Sequence, residues 1–410
     1  MNETVFTLDA TSIVFGPAAA GETGFHLGRL GVTRALLVSD PYVISLGITE
    51  RVREVVVAAG IDAVIFDGVH VEPNEESALE AISFARDGGF DGYVGVGGGS
   101  SIDTAKIAAL FATHGGELLD YVNRPIGDGT APRGPLLPVV AVPTTSGTGS
   151  EATSVAIIDF PRLGVKTGIS HRELRPRIGI VDPTLAATLP AAVTASAGLD
   201  VVCHAAESYT ARPYTTRPRS APEQRPPYQG ANPISDVWSA RALELGGRYL
   251  RRAVDDGTDT EARGAMMLAA TLAGIGFGSA GVHVPHACAY PIASLKHAWT
   301  PPGYPSAEAF VPHGFSVALT APAVFRLTND ALPERHTEAA RLLGSSSSLA
   351  DAIAALIAEV GAPASLRSIG YDDGDLPALV DGAMQQERLL VCSPRTITRG
   401  DIERILTESL

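Results

Sequence analysis

Short β-branched apolar runs alternate with longer helical patterns through the first half of the chain, the texture of βαβ units around a parallel sheet. The runs RALLVSD (34–40), AVIFDG (63–68) and GYVGVGGGS (92–100) each end in Gly, Asp or Ser, as buried strands do where the chain turns over a sheet edge. A further strand is predicted over PLLPVVAVP (135–143), running into TTSGTGSEAT. Between these runs, ITERVREVVVAAG and NEESALEAISFARDGG space apolar residues by three and four and stop at glycine, which predicts helices. After about Pro183 the pattern becomes Ala/Leu-rich and helical in period, with hardly a strand-like run. The expected organisation is α/β plus all-α, with an α/β domain over residues 1–188 and a helical domain over 189–410. One connection, 211–236, is rich in Pro and Arg and too long for an ordinary loop inside a compact domain.

Composition narrows the function classes. The 410 residues carry Lys+Arg 31 against Asp+Glu 45, a net charge of −14 that repels phosphate backbones and anionic headgroups. No nucleic-acid or membrane partner is expected, and no apolar stretch reaches the roughly 20 residues that span a bilayer. Cys203, Cys288 and Cys392 lie far apart without CxxC spacing, so neither a disulfide framework nor a thiolate zinc site is expected. The N-terminal MNETVFTLDA shows no signal pattern. These features together predict a cytoplasmic location.

Three clusters carry candidate chemistry. In VGVGGGSSIDTAK (94–106) a strand meets three glycines and then a helix, an arrangement that lets backbone N–H groups approach a pyrophosphate at a helix N-terminus. A plain strand-to-helix turn capped by Ser100 with Asp103 explains the same residues without a ligand. PTTSGTGSE (143–151) adds hydroxyls from Thr144, Thr145, Ser146, Thr148 and Ser150 on a Gly-interrupted turn, more donors than a turn needs. Asp40 ends the first of these strands, where a carboxylate can take ribose hydroxyls and disfavour a 2′-phosphate, or simply cap a helix before Pro41. In GLDVVCHAAES (198–208), Asp200 and His204 are four apart and leave the same face of a helix. His283, His286 and His313 in GVHVPHACAYP and VPHGFS could complete an Asp-plus-His site suited to Fe²⁺ or Zn²⁺.

In this order, GGGSSIDTAK, PTTSGTGSE, GLDVVCHAAESY, VPHACAYP and VPHG resemble the iron-containing (group III) alcohol dehydrogenases. RPPYQGANPISDVW, AGIGFGSAGVH, VPHGFSVALTAPAVF and QQERLL make the chain most similar to the hydroxyacid-oxoacid transhydrogenase branch, over about residues 5–405. The resemblance implies an N-terminal dinucleotide-binding parallel-sheet domain followed by a helical metal-binding domain, dehydroquinate synthase-like, with NAD and a divalent metal in the cleft between them. Carried over, the metal ligands fall on Asp200, His204, His286 and His313, leaving His283 as a helix neighbour. Cofactor contacts fall on Asp40, Gly97, Gly98, Gly99, Ser100, Asp103, Thr144, Thr145 and Ser150, with Lys166 a further one. The candidate catalytic residues are His286 and Tyr290, the latter where many members carry a second His credited with proton relay. The segment between His286 and His313 is longer than in simple members, and its Lys296, His297 and TPPGYPS turn are expected to shape the substrate pocket.

The implied reaction is hydride transfer through NAD from a hydroxy acid of 4-hydroxybutyrate type to a 2-oxo acid of 2-oxoglutarate type, by a homo-oligomer (dimer or higher). An ordinary NAD-dependent alcohol dehydrogenase or aldehyde reductase would show the same motifs. Arg212, Arg217, Arg219 and Arg225 on the Pro-rich connection favour acid substrates, because Arg recognises carboxylates bidentately; a solvated loop is the plainer account. A metal-dependent cyclase or lyase of the same fold is disfavoured by PTTSGTGSE and VPHG. A non-catalytic scaffold would hold no metal.

Overall fold

The computed structural model describes residues 1–295, 298–305 and 309–410. The chain divides into two units: Ala10–Ala187, and Met1–Asp9 together with Thr188–Leu410. The first nine residues, expected with the α/β domain, are tied to the helical unit through their backbone. Glu3 N–H donates to the Arg217 carbonyl (2.8 Å) and Thr7 N–H to Gln229 Oε1 (2.9 Å).

Eight strands lie in the α/β unit: β1 (Ser12–Phe15), β2 (Arg34–Val38), β3 (Asp62–Phe66), β4 (Gly92–Gly97), β5 (Val139–Pro143), β6 (Val155–Phe160), β7 (Val165–Ser170) and β8 (Ile178–Val181). Six form one sheet in the order β1-β8-β5-β4-β2-β3, every pairing parallel, while β6 and β7 make a separate antiparallel hairpin. Both faces of the sheet are covered, which is why its strands read as continuous apolar runs. Ala35, Leu37, Val94 and Val96 pack on one face with Leu27, Val52 and Val56. Their alternate neighbours Leu36, Val38 and Tyr93 pack on the other with Ala81, Ala105 and Ala108. Glycine inside β4 has a steric cause: a Cβ on Gly95 would stand 2.7 Å from Ile102 Cα, so the helix Gly99–His114 lies directly on the strand.

The strand order reverses between β2 and β4. The chain leaves β2 outward to β3, then returns to add β4 on the opposite side. In open parallel sheets such a switch opens a crevice at the carboxyl ends of the two strands, where ligands bind. Here those ends carry Asp40 after β2 and Gly97–Gly99 after β4.

The helical unit is built around the helices Ala191–Thr210, Pro233–Asp255 and Thr260–Ala280. Leu199, Val202 and Ala206 of the first pack with Leu243 and Leu250 of the second and Met266 and Ala273 of the third. A Cβ on Gly198 would stand 2.2 Å from Leu250 Cδ1 and one on Gly276 2.4 Å from Ser239 Oγ, so glycine sets the close spacing of these helices. The connection 211–236 is ordered rather than loose. It forms two short 3₁₀ turns, Tyr214–Thr216 and Pro222–Gln224, is bridged at Pro213 to Ala231, and ends in an Asn232–Ser235 capping box. Among the described residues no single helix is long and apolar enough to cross a membrane. The three cysteines are buried and unpaired.

Candidate metal centre and nucleotide cradle

Asp200 and His204 project from one face of the helix Ala191–Thr210, four residues apart. His286 lies in the first turn of the helix Val284–Ser294, and His313 opens the helix His313–Ala318. Three imidazole nitrogens converge on one carboxylate oxygen. Asp200 Oδ1 stands 3.7 Å from His204 Nε2, 3.5 Å from His286 Nε2 and 3.9 Å from His313 Nε2. Tetrahedral ligands about 2.1 Å from a metal are about 3.4 Å apart, so these separations suit one cation among the four atoms. Asp200 Oδ1 and His286 Nε2 are buried without a hydrogen-bond partner, an arrangement that costs free energy unless a ligand answers both.

The electrostatics point the same way. Burial pushes the Asp200 carboxyl up, but His204, His313 and His286 outweigh it and hold it well below the carboxylate range. Burial pushes His286 down, and the Glu207 and Asp200 carboxylates reverse this and raise it to about 9. Two buried carboxylates beside imidazoles make a pocket that selects a cation.

Glu207 was not anticipated from the sequence. It lies on the same helix face, three residues beyond His204, and is fully buried. Its Oε1 accepts from His286 Nδ1 at 2.6 Å and its Oε2 accepts from the His283 backbone N–H at 2.6 Å. The first bond holds a proton on Nδ1, so Nε2, which faces Asp200 Oδ1, is the nitrogen available to a cation. The signal available in the sequence was the i, i+4, i+7 spacing of Asp200, His204 and Glu207. Phe277 adds a second unanticipated support, its ring stacked on His204 with centroids 4.1 Å apart.

His283, unlike His286, stays outside the convergence. Its Nε2 pairs with Thr210 Oγ1 at 3.3 Å, and burial lowers its pKa to about 4, so it is a neutral core histidine. Tyr290, one turn beyond His286, is buried with its ring 6.2 Å from that of His313. Lys296, His297 and Ser306 lie outside the described residues. Tyr304 of the same segment is described: it hydrogen-bonds with Ser196, one turn before Asp200, and packs on the Phe310 and Phe315 rings. Of the arginines on the connection, Arg212 donates to the Thr216 and Val391 carbonyls and Arg217 to the Tyr228 carbonyl, so both hold the loop itself.

In the α/β unit, Gly97, Gly98 and Gly99 lead into the helix Gly99–His114, whose N-cap Gly98 makes no side-chain cap. The first-turn N–H groups are therefore open, and the helix adds partial positive charge there. Gly97 has φ 149°, and a Cβ there would stand 2.3 Å from Ser101 Oγ; on Gly99 it would stand 2.7 Å from Thr148 Cγ2. Glycine is needed at both positions because the Ser101 and Thr148 side chains fill the space a Cβ would take. Thr145 faces Gly98 and is part-exposed, as is Ser100, whose Oγ accepts from Glu72 N–H at 3.2 Å. Thr144 N–H is tied to the Gly97 carbonyl at 2.9 Å, which joins the two turns.

Several expected cofactor contacts have protein partners. Asp40 Oδ1 caps the helix Pro41–Ser45 through Tyr42 N–H (3.1 Å) and Val43 N–H (3.0 Å), and Oδ2 accepts from Ser101 Oγ at 3.3 Å. Asp103 Oδ1 accepts from Ser150 Oγ and from Lys106 Nζ, and its Oδ2 accepts from Ile157 N–H at 3.0 Å. Lys106, also unanticipated, is completely buried and donates further to Ser150 Oγ (2.6 Å) and the Val155 carbonyl (2.7 Å). Lys166 is buried and paired with Glu72, a non-glycine residue at φ 60°.

Two family descriptions match the chain: iron-containing alcohol dehydrogenase over residues 10–183, and the C-terminal part of the Fe-containing alcohol dehydrogenase family over 227–410. A mitochondrial hydroxyacid-oxoacid transhydrogenase of Rattus norvegicus is 43% identical over 418 residues, covering 99% of this chain and 90% of that protein. The Homo sapiens protein of the same name is 42% identical with the same coverage. A solved 1,3-propanediol oxidoreductase superposes with a TM-score of 0.86 at 30% identity, covering 99% of this chain and 100% of the other. Sulfoacetaldehyde reductase from Bifidobacterium kashiwanohense, in complex with NAD⁺, gives 0.83 at 26% identity and 99% coverage of each. These relatives correct the expectation of a cytoplasmic location, since the transhydrogenases are named as mitochondrial. That expectation rested on the first ten residues and on cysteine spacing, and neither reports which reducing compartment a chain occupies.

Proposed function

The chain belongs to the iron-containing alcohol dehydrogenase family, and from that premise we propose that this enzyme moves hydride, by way of NAD, from a 4-hydroxybutyrate-like hydroxy acid to a 2-oxoglutarate-like oxo acid. The observation that carries the reading is the convergence of His204, His286 and His313 on Asp200 Oδ1. The choice of acids over simple alcohols is supported by the names of the relatives at 42–43% identity. A divalent cation there, Fe²⁺ or Zn²⁺, would supply Lewis-acid polarisation of the carbinol or carbonyl oxygen, and NAD would supply the hydride acceptor and donor.

The chain's own residues do the rest. Glu207 fixes the His286 tautomer, and Phe277 fixes the plane of His204. We assign the Tyr290 hydroxyl, beside His313, to hydrogen-bond the substrate oxygen as its proton comes and goes. The open N–H groups at Gly98, Gly99 and Ser100 cradle the pyrophosphate. Thr144, Thr145 and Lys166 line the nucleotide's path, and Asp40 faces the ribose at the switch point between β2 and β4. Asp103 and Ser150, whose polar atoms are spent on Lys106 and each other, hold the second turn in place beneath the cofactor.

The test is to incubate purified protein with 4-hydroxybutyrate deuterated at the carbinol carbon and 2-oxoglutarate, without free NAD. Deuterium at C2 of 2-hydroxyglutarate, with succinate semialdehyde formed in equal amount over many turnovers, is the expected result. A second reading, an ordinary alcohol dehydrogenase, is favoured by the 1,3-propanediol oxidoreductase likeness. Product that tracks added NAD, with rapid oxidation of simple primary alcohols and none of acids, would establish that reading instead.

A further inference from the structure

We propose that Arg388 is the residue that binds the carboxylate of the acid substrate. The proposal rests on the acid-substrate reading above and assigns it a group. Arg388 lies on the short helix Glu387–Leu390, which packs against the helix Val284–Ser294 that carries His286 and Tyr290. Its guanidinium carbon sits 4.9 Å from the centroid of the buried Tyr228 ring, a cation–π contact that fixes the plane of the group. Tyr228 is itself anchored beside the turn that delivers His283 and His286: a Cβ on Gly281 would stand 3.0 Å from it.

What the guanidinium lacks is an anion. Arg388 Nη1 is buried and has no hydrogen-bond partner, and no carboxylate among the described residues pairs with it. The groups that act on it most strongly besides burial are the hydroxyls of Tyr228 and Tyr290. Other arginines of the helical unit are already engaged. Arg335 pairs with Asp236, Arg326 with Glu408, and Arg212 and Arg217 with backbone carbonyls. Arg225, whose Nε is also buried without an acceptor, acts on Glu3 instead.

A desolvated cation with an idle donor is costly, and costlier beside a centre built to hold a divalent cation. An anionic ligand removes that cost, and a carboxylate matches the planar fork of donors. With the carbinol end of a hydroxy acid at the Asp200–His286–His313 cluster, Tyr290 lies next to the reacting oxygen. Arg388, within electrostatic reach of Tyr290, is then placed for the far end of the molecule. The ligand class is a short ω-hydroxy or 2-oxo acid with a carboxylate several bonds from the reacting carbon.

The experiment compares 4-hydroxybutyrate with 1,4-butanediol, which replaces the carboxylate by a neutral CH₂OH, in the wild-type holoenzyme, Arg388→Gln and Arg388→Lys. The acid-to-diol ratio of kcat/KM should fall about 10- to 100-fold in Arg388→Gln, the range of a lost charged hydrogen bond, and by less in Arg388→Lys, which keeps the charge but not the fork. Glutarate, a non-reacting dicarboxylate, should raise the melting temperature of wild type and fail to do so in Arg388→Gln. Metal content and unliganded melting temperature establish that each variant is folded, and Arg388→Lys carries the test if Arg388→Gln is not. An unchanged ratio together with undiminished glutarate stabilisation would overturn the assignment. Wild type that prefers the diol would overturn the acid-substrate reading instead, while the glutarate shift would still report on Arg388 itself.

Discussion

At the scale of single residues the proposed metal centre hangs on Asp200 Oδ1, the oxygen that His204, His286 and His313 all approach. Removing one imidazole leaves an incomplete coordination set, so His204→Ala and His313→Ala should each abolish turnover and lower bound metal together. Elemental analysis of the folded variants checks this, and stoichiometric metal in both would overturn the ligand assignment. Glu207→Gln is milder. The amide keeps the shape but loses the charge that fixes Nδ1–H on His286, so metal affinity should fall about 10- to 100-fold in a chelator competition. An unchanged affinity would reduce Glu207 to an anchor for the His283 backbone. The Asp200/His204 half of this site was legible as an i, i+4 pair. Periodicity alone could not choose between His283 and His286, because the choice is made by which ring the turn after Gly281 aims at Glu207, a tertiary event. Arg388 was invisible as chemistry because its meaning lies in what does not pair with it.

Among elements, β2, β4 and β5 were readable because each is buried on both faces, and the half-buried edge strand β3 because its β-branched and aromatic run ends at a turn. The four-residue strands β1 and β8 hold too few positions to show a period, and the β6–β7 hairpin lies in a stretch to which the sequence pattern had assigned no element. The expected hydroxyl-rich turn is present, but its orientation depends on Lys106, which ties Asp103, Ser150 and Val155 together in the core. Burial lowers the Lys106 pKa against the opposing pull of Asp103. Lys106→Met would strip the buried Asp103 of its cation and leave it only the Ser150 and Ile157 hydrogen bonds, at a cost of about 3–5 kcal/mol. Denaturant unfolding measures this, and a loss below about 1 kcal/mol would mean the network relaxes easily. Asp40 caps a helix and is proposed to face the ribose as well, so its test needs a substitution that separates the two roles. Asparagine still caps the helix Pro41–Ser45 but carries no charge against a 2′-phosphate. Asp40→Asn should therefore keep the unfolding free energy within about 1 kcal/mol of wild type and weaken the preference for NAD over NADP in calorimetric titration. Wild type that binds both nucleotides equally would confine Asp40 to its capping role.

For the molecule as a whole, the fully buried carboxylates Asp200 and Glu207 would link cation binding to folding. Asp200 and Glu207 sit among the buried side chains of the helix Ala191–Thr210, where Leu199, Val202 and Ala206 form the main core. Unfolding returns both acids to water and disperses the imidazoles, so a divalent cation binds the folded chain far more tightly than the unfolded one. Mass action then sets the size of the effect: about 2.7 kcal/mol at a free metal concentration one hundred times the dissociation constant. Chelation should lower the melting temperature, and added Fe²⁺ or Zn²⁺ should restore it by an amount that grows with the logarithm of concentration. The increment should shrink as pH falls below about 9, the value to which the Glu207 and Asp200 carboxylates raise His286, because the protonated imidazole must release its proton before it can bind. Calorimetry across metal concentration and pH supplies the measurement, with His204→Ala as the variant in which the dependence should vanish. A wild-type melting temperature indifferent to metal would mean that the convergence on Asp200 is held by protons alone.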